Sequence, residues 1–187
     1  MIYTSNYKSP VGSILIASKD NKLIGLWIEN QKHYLSNFNE EISQKENIEI
    51  LEKTKKWLDR YFNREKPKID ELDINPIGSE FRKNVWEILK NIPYGKVTTY
   101  NDIAKKIAKQ KGIAKMSAQA VGGAVGHNPI SIILPCHRVV GANGNLTGYA
   151  GGIKKKIELL KLEGNDMSKY FVPKRGTALW EDVNGVT

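Results

Sequence analysis

The chain contains a single cysteine, Cys136, which is followed directly by His137 and Arg138. A thiolate is the strongest nucleophile among side chains, but a free thiol with a pKa of about 8.5 is only a few per cent ionised at neutral pH. A histidine, a cation or a helix N-terminus close to the sulfur lowers that pKa. His137 and Arg138 could therefore make Cys136 lose its proton unusually readily. On composition alone a structural cysteine is the favoured interpretation, because a lone cysteine after an apolar run is usually a small core residue.

Apolar residues at 130–134 lead up to this cysteine. A short apolar run bounded by turn residues is typical of a buried strand, and Pro135 should end it because proline cannot donate to a sheet ladder. Neighbouring side chains of a straight strand point to opposite faces. Cys136 and His137 can therefore act together only if the chain turns after Pro135 or if a water bridges them.

The motif Pro135-Cys136-His137-Arg138-Val139 resembles the active-site signature of the methylated-DNA–protein-cysteine methyltransferases, the O6-alkylguanine-DNA alkyltransferases. Residues 128–129 and the glycine-rich residues 148–152 resemble the same family at the same spacing, and the resemblance runs from about residue 81 to residue 164. It is weaker, but recognisable, over the N-terminal part. The resemblance implies irreversible transfer of the alkyl group from O6-alkylguanine, and from O4-alkylthymine, in DNA to Cys136, once per molecule.

The resemblance also implies a role for each matching residue. His137 would take the thiol proton through a water, and Glu163 would stabilise the imidazolium. Asn128 would hold the turn before the cysteine, and the Tyr100 hydroxyl would donate to the leaving base. The residues implied to bind the alkylated base are Val139, Tyr149, Ala150, Gly151, Lys156 and Val125. Those implied to contact DNA are Gln119, Ala118, Ser117, Gly122, Arg138 and Thr99. From the residues alone, Tyr100 reads as an aromatic residue at a helix start and Glu163 as an ordinary acid in a last helical turn.

One position departs from the family pattern. The family usually has an arginine just before Ala-Val-Gly-Gly, where it fills the space left by the flipped base, and this chain has Gln119. Glutamine can hydrogen-bond the orphaned partner base but brings no charge. We expect base flipping to persist, with weaker DNA binding or a different damage preference.

The same stretch contains adjacent glycines, Gly122 and Gly123. Glycine inside a helix costs about 1 kcal/mol relative to alanine. Two adjacent glycines therefore indicate either tight packing on a neighbouring helix or close approach to a nucleic-acid backbone.

Charge is distributed unevenly along the 187 residues, whose formal net charge is +9. Residues 1–80 carry 12 basic and 13 acidic side chains, and residues 81–187 carry 17 and 7, so the halves have charges of −1 and +10. Segregated positive charge favours a polyanionic partner, and the resemblance specifies double-stranded DNA carrying O6-alkylguanine. A protein with many surface lysines is the simpler alternative.

A single cysteine excludes disulfides within the chain and any zinc site built on several cysteines. The resemblance implies no metal and no cofactor. The sequence has no apolar run close to the roughly 18 residues that a membrane span needs, and no signal-peptide pattern at its start. We expect a cytoplasmic monomer with no membrane partner.

The sequence predicts an α+β protein. Strands expected at 2–7, 13–18 and 23–28 form an antiparallel meander, and a helix that buries residues 50–61 on one face follows, with a short strand near 69–74. Helix N-caps are predicted at Ser79, Thr99 and Ser117, a C-terminal helix cap at Gly164, and a hairpin or wing turn at Asn143-Gly144. The resemblance makes residues 1–76 a small ribonuclease-H-like α/β domain. It makes residues 77–165 a helical, winged helix-turn-helix domain that carries DNA binding and catalysis. Residues 166–187 are expected to be a loosely docked tail, with Lys174 and Arg175 near phosphate.

Three other functions fit parts of the sequence. They are a helix-turn-helix binder of damaged DNA, a regulator that senses alkylation through its cysteine, and a cysteine hydrolase. Binders of this kind lack the cysteine, regulators usually carry a dimerisation helix or a ligand domain, and a hydrolase leaves the basic half without a purpose.

Overall fold

The computed structural model describes residues 1–35, 38 and 40–173, so Lys174 and Arg175 lie outside the described residues. The N-terminal half is a mixed sheet covered by a helix. Its strands are β1 (Ile2–Ser9), β2 (Gly12–Lys19), β3 (Lys22–Ile28) and β4 (Ile42–Gln44), in the order β3-β2-β1-β4. The first three form the predicted antiparallel meander, and β4 pairs in parallel with β1.

Helix α1 (Glu49–Phe62) packs on this sheet. The six residues that it buries are those of the predicted face: Ile50, Leu51, Thr54, Trp57, Leu58 and Tyr61. The segment after α1 contains a 3-10 turn (Ile69–Glu71) instead of the short strand considered there, and Ile74 makes only an isolated bridge to Leu23.

The C-terminal half contains the remaining helices, α2 (Glu80–Lys90), α3 (Tyr100–Lys111), α4 (Ala118–Gly126) and α5 (Ile153–Leu162). The first three begin after the predicted N-caps, because the hydroxyls of Ser79, Thr99 and Ser117 accept hydrogen bonds from Arg82 N, Asp102 N and Ala120 N. Helices α2, α3 and α4 pack on one another, and the buried Trp86 donates from Nε1 to the carbonyl of Ala124 at 2.9 Å. A short parallel pair, β5 (Thr98–Thr99) and β6 (Val139–Val140), connects this cluster to the cysteine segment.

The strand expected over residues 130–134 is wrong. Ile130 makes an isolated bridge to Leu26, and the chain then turns, with Leu134 N donating to Ile130 O at 3.0 Å. Ile132 has a φ of +69°, which breaks an extended conformation and is strained for a β-branched residue. The run is apolar because it is a buried turn, with all of its residues inaccessible to solvent. Burial alone does not distinguish such a turn from a strand in the sequence.

The two halves meet along β3. Leu26 N donates to Pro129 O at 2.8 Å, and Ser131 N donates to Leu26 O at 2.9 Å. The Ser131 hydroxyl also donates to Gln31 Oε1 at 2.8 Å. The segment that leads to the cysteine is therefore attached to the sheet of the other half.

The region after β6 only partly matches the expectation of a hairpin. Residues Ala142–Gly144 form a turn, with φ of +56° at Asn143 and +81° at Gly144. Among the residues that the structure describes, this turn does not join paired antiparallel strands. Instead Phe171 docks beside it, with Phe171 N donating to Gly144 O at 3.0 Å. The tail is therefore attached to the rest of the protein at Phe171.

Candidate active site

Cys136 lies in a one-turn 3-10 helix, Cys136–Arg138, whose three side chains are all buried. The turn that the sequence required after Pro135 is thus present. Asn128 holds this region from behind: its Nδ2 donates to Leu134 O at 2.8 Å and lies 3.1 Å from Cys136 Sγ, and its Oδ1 accepts from Ile130 N at 3.0 Å. One amide therefore bonds both ends of the strained turn and the sulfur.

The pKa of Cys136 in the resting protein is not lowered, although His137 and Arg138 follow it directly in the sequence. Burial raises the pKa of Cys136 above its usual value, and the hydrogen bond from Asn128 and the charge of Lys156 only partly oppose this shift. The cation that follows in the sequence, Arg138, bonds elsewhere. Cys136 therefore stays a protonated thiol at neutral pH, and it could act as a nucleophile only with a base close by.

His137 has the chemistry of a base in this site. The imidazole is fully buried, and Nε2 lies 2.7 Å from Glu163 Oε1. A carboxylate accepts only, so Nε2 carries the hydrogen and Nδ1 has a free lone pair. Nδ1 has no hydrogen-bond partner among the described residues. Burial lowers the pKa of His137, against the opposing pull of Glu163, so the ring is neutral and can accept a proton. We call Cys136, His137 and Glu163 the relay.

Glu163 is fixed by the end of α5 and by the turn before β5. It is the C-cap of α5, and Gly164, the predicted C-terminal cap residue, follows with a left-handed φ of +80°. Gly95 N donates to Glu163 Oε2 at 3.1 Å, and a Cβ at Gly95 would lie 2.9 Å from the Glu163 carbonyl oxygen. Gly95 also has a φ of +73°, so both space and conformation require glycine there.

Arg138 is buried beside this carboxylate, and the expectation that it contacts DNA is wrong for this structure. Its side chain is only 8% exposed; Nε lies 2.9 Å from Glu163 Oε2, Nη2 lies 2.9 Å from Oε1, and Nη1 donates to Ile92 O at 2.6 Å. The guanidinium is almost fully buried and bonded to Glu163 and Ile92, which leaves it little surface from which to reach phosphate. Burial opposes the ionisation of Glu163, but hydrogen bonds and charge from His137 and Arg138 hold the pKa of its carboxyl well below the usual range.

Tyr61 is a residue at this site that the sequence analysis missed. It comes from α1 in the other half of the chain, and its hydroxyl donates to Glu163 Oε1 at 2.8 Å. It was predicted only as part of the buried apolar face of α1. The available signal was the hydroxyl itself, because a tyrosine on an otherwise apolar face usually has a buried hydrogen-bond partner.

Lys156 is a fully buried cation on the other side of the cysteine. Its Nζ donates to Val139 O at 2.6 Å and to Thr147 O at 3.0 Å, so it ties β6 to the glycine-rich loop. Burial lowers its pKa to about 8, and the negative charge that Cys136 can carry opposes this shift. Through these two bonds Lys156 supports the loop.

A cavity of about 650 Å³ opens beside the site. Seven residues from the predicted sets line it: Thr99, Tyr100, Ala118, Gln119, Gly122, Tyr149 and Ala150. The Tyr100 hydroxyl lies 3.1 Å from Thr147 O and 3.0 Å from Gly148 O, at the edge of the loop. Burial raises the pKa of both the Tyr100 and the Tyr149 phenol, and a negative charge on Cys136 would raise each pKa further.

Several predicted residues do not line this cavity. Val125 is buried in the core, and the Ser117 hydroxyl is used as the cap of α4. Gly151 lies under the Tyr149 ring, where an added Cβ would come within 2.8 Å of that ring. Lys156 and Val139 lie behind the loop, where the Val139 carbonyl accepts from Lys156 Nζ. Cys136 is buried and does not line the cavity either.

The glycines of α4 do not pack tightly against other residues. A Cβ added at Gly123 or Gly126 would meet nothing within 4 Å, and one at Gly122 would only touch the Tyr100 ring at 3.8 Å. Tight packing on another helix therefore does not explain these glycines. They leave a low, exposed ridge beside the cavity, on which Gln119 is also exposed.

Comparison with known sequences assigns the chain to a family. The model of the 6-O-methylguanine DNA methyltransferase DNA-binding domain matches residues 80–165, and that of the ribonuclease-like domain matches residues 2–76. A methylated-DNA–protein-cysteine methyltransferase from Methanosarcina acetivorans is 43% identical over 88% of this chain and 99% of its own length. One from Haemophilus influenzae is 36% identical over 87% and 86%.

Solved structures agree with this assignment. The Mycobacterium tuberculosis OGT in complex with DNA has a TM-score of 0.75 and 34% identity, over 90% of this chain and 94% of its own. An O6-methylguanine DNA methyltransferase from Methanococcus jannaschii has a TM-score of 0.62 and 31% identity, over 92% and 100%. This chain belongs to the 6-O-methylguanine DNA methyltransferase family. Across residues 1–35, 38 and 40–173, the helices are too short or too polar to cross a membrane.

Proposed function

We propose that this protein repairs DNA by moving the alkyl group of O6-alkylguanine to Cys136. The sulfur forms a bond to the alkyl carbon, and the bond from that carbon to O6 breaks with its electron pair going to the base. A thioether on Cys136 and an unmodified guanine result. Because a thioether is inert and no second cysteine exists to resolve it, each molecule reacts once. O4-alkylthymine, which offers the same type of leaving oxygen, is proposed as a second substrate.

The proton leaves Cys136 as the lesion enters. We propose that a water carries it to His137 Nδ1, while Glu163 Oε1, at 2.7 Å from Nε2, stabilises the imidazolium. Asn128 Nδ2, at 3.1 Å from the sulfur, stabilises the developing thiolate. The high pKa of the buried thiol supports this order of events, because the protein does not carry a thiolate that could react before the lesion is bound.

The cavity beside Tyr100 is proposed to hold the flipped base. The Tyr100 hydroxyl then leaves the loop carbonyls and donates to a guanine ring nitrogen, which neutralises the leaving base. The imidazolium proton returns to Tyr100 through solvent, so that protons balance. The Val139 and Cys136 carbonyls accept from the exocyclic amine, and Tyr149 and Ala150 cover the ring, with Ala150 N–H directed at O6.

The α4 ridge is proposed to enter the minor groove, with residues 77–165 acting as a winged helix-turn-helix unit and residues 1–76 as a ribonuclease-like unit. The matched ranges of the two domain models support this division. Flipping a nucleotide costs a few kcal/mol, and most binding should be salt-dependent contact with phosphate. The +10 charge of residues 81–187 supports this. We further propose a cytoplasmic monomer.

The observation that carries the proposal is the buried contact between the only cysteine and Asn128, within the same turn as a neutral His137 bonded to Glu163. A structural cysteine needs none of these polar neighbours. Burying them without a function would only cost stability.

Intact-protein mass spectrometry tests the proposal. Mixing the protein with an O6-methylguanine duplex should add one methyl in place of one hydrogen, located at Cys136 by peptide mapping, and should stop at one methyl per molecule. Cys136→Ser should bind the duplex and gain no mass. Binding without mass change in the wild-type protein would indicate a damage binder or regulator, and release of product with continued turnover would indicate a hydrolase. An O4-methylthymine duplex tests the second substrate in the same way.

A further inference from the structure

The Tyr61 hydroxyl is the only contact to Glu163 among the described residues that comes from the N-terminal half. The Tyr61 side chain is buried, with the residue 1% exposed. Its hydroxyl donates to Glu163 Oε1 at 2.8 Å and lies 3.4 Å from His137 Nε2. The Tyr61 ring is held by parallel stacking on Trp57, with ring centroids 5.6 Å apart. This position is therefore fixed by α1, whose face packs on the sheet.

The direction of the hydrogen bonds at Oε1 follows from the donors available. If Nε2 carried no hydrogen, it would face the carboxylate as a second acceptor at 2.7 Å, which is unfavourable. With Nε2–H donating to Glu163, the same Oε1 oxygen is the only acceptor that the described part of the chain offers the Tyr61 hydroxyl. Tyr61 and His137 thus both donate to one oxygen atom.

We infer that Tyr61 is a positioning residue for the relay, which weakens the pull of Glu163 on the His137 proton and so keeps His137 a neutral base. The inference rests on the proposed function, because only a reaction that uses His137 as base gives this contact a kinetic effect. It also assigns the N-terminal half a direct share in the chemistry.

The physical argument concerns the charge on one oxygen. A hydrogen bond donated to a carboxylate stabilises its negative charge, and the stabilised carboxylate attracts the imidazolium less. The His137 pKa is already lowered by burial, while Glu163 raises it and Arg138 and Lys156 lower it. Removing the Tyr61 hydroxyl leaves Glu163 more attractive to a proton on His137, so the pKa of His137 should rise.

The other charged and titratable groups around this oxygen stay in place when Tyr61 is changed. Arg138 bonds both carboxylate oxygens, and Gly95 N donates to Oε2. Tyr94 lies edge-on to Tyr61 at 6.0 Å and donates to Leu162 O instead of to Glu163. Tyr61 itself does not ionise in the accessible range, because burial and the charge of Glu163 raise its pKa well above the usual value. A shift in the pH profile therefore reports on His137.

The test is the single-turnover rate of methyl transfer from an O6-methylguanine duplex, measured against pH for the wild-type protein and Tyr61→Phe. The acid limb of the profile should move to higher pH by roughly half a unit to one unit in Tyr61→Phe, because neutral His137 is needed to accept the proton. ¹⁵N NMR of the three histidines, with His137 assigned by its loss in His137→Gln, should show the same upward shift without DNA.

Tyr7→Phe is the matched control. Tyr7 also donates to a carboxylate at 2.8 Å, Asp59 Oδ1, in the same half of the chain and away from the relay. Its removal should leave the acid limb and the His137 resonances unchanged. An acid limb that stays in place in Tyr61→Phe, or moves to lower pH, contradicts the inference, and so does an unshifted His137 resonance in folded protein. If wild-type protein transfers no methyl group, the proposed function fails instead.

Discussion

The relay and the cavity wall on α4 differ in how their residues are held. The relay is buried, and Glu163 alone accepts hydrogen bonds from Tyr61, His137, Arg138 and Gly95. The α4 ridge is open, and Gly123 has nothing within 4 Å of the position of a Cβ. A buried polar network depends on every member, whereas an exposed surface tolerates change. The comparison indicates that chemistry is fixed by the interior and that DNA contact is adjustable at the surface.

The largest effect is expected from removing the charge at the centre of the relay. Glu163→Gln leaves Arg138 as a buried, unpaired cation, so the free energy of unfolding should fall by about 3–5 kcal/mol. Methyl transfer should slow by roughly a hundredfold or more, because the imidazolium loses its partner. Denaturant unfolding and single-turnover assays measure the two effects. Glu158→Gln, an exposed position on the same helix, should change neither; equal losses in both variants would mean that the relay is no more sensitive than the surface.

A change of pH tests the same interior without a mutation. The pKa of His137 is lowered in the folded protein, whereas the unfolded chain binds its proton near the ordinary value of 6.5. Below that pH the unfolded state binds more protons, so the free energy of unfolding should fall by about 1.4 kcal/mol per pH unit from this group. Urea titrations from neutral pH downwards measure the slope. The pKa of His33 is also lowered, so the slope should be compared with that of His33→Gln. A stability that stays level through this window would show that His137 is not held neutral.

The surface should respond more weakly. Gln119→Arg adds a cation on the ridge, so duplex affinity should rise about three- to tenfold and the salt dependence should steepen by about one counterion. Gln110→Arg adds the same charge at an exposed position of α3 outside the cavity lining and should have less effect. Fluorescence anisotropy over a salt series measures both. If Gln119→Arg left affinity and repair rate unchanged, the glutamine would be equivalent to the usual arginine.

The smallest expected effect is at Gly123. Gly123→Ala should raise the free energy of unfolding by about 0.5–1 kcal/mol, because alanine favours a helix and its methyl meets no atom. The same methyl should weaken duplex binding a few-fold if the ridge enters the groove. Gly112→Ala is the control. An added methyl there also meets no atom, but Gly112 has a φ of +63°, so this substitution should lower the free energy of unfolding by about 1 kcal/mol. Unchanged DNA binding by Gly123→Ala would place the groove contact elsewhere.

The same comparison explains which features the sequence could reveal. Local signals predicted the meander, the buried face of α1, three helix caps and the glycine after α5, because each depends on residues close together in the chain. The motif located Cys136 and His137, and the family resemblance located Glu163. The role of Tyr61 depends on a contact between residues 102 positions apart, which no local pattern contains. The buried turn at 130–134 was mistaken for a strand because both are apolar.

The placement of Arg138 shows a further limit. A cation in a basic half is expected at the surface, and here it neutralises a buried acid beside it. The charge balance of the chain therefore overstates the number of cations that can meet DNA. The sequence could not show this, since the partner carboxylate and the Ile92 carbonyl come from other elements.

Because β3 is hydrogen-bonded to residues of the C-terminal half, an N-terminal fragment produced alone would have an uncovered strand edge. One edge of the sheet is β3, and it is covered by residues 73–75 and by residues 129–131 through backbone hydrogen bonds at Leu23 and Leu26. A fragment that stops before residue 129 would expose the amide and carbonyl of Leu26. Uncovered strand edges recruit further strands, so such a fragment should self-associate. We therefore expect residues 129–131, which lead towards Cys136, to protect the N-terminal sheet from aggregation as well.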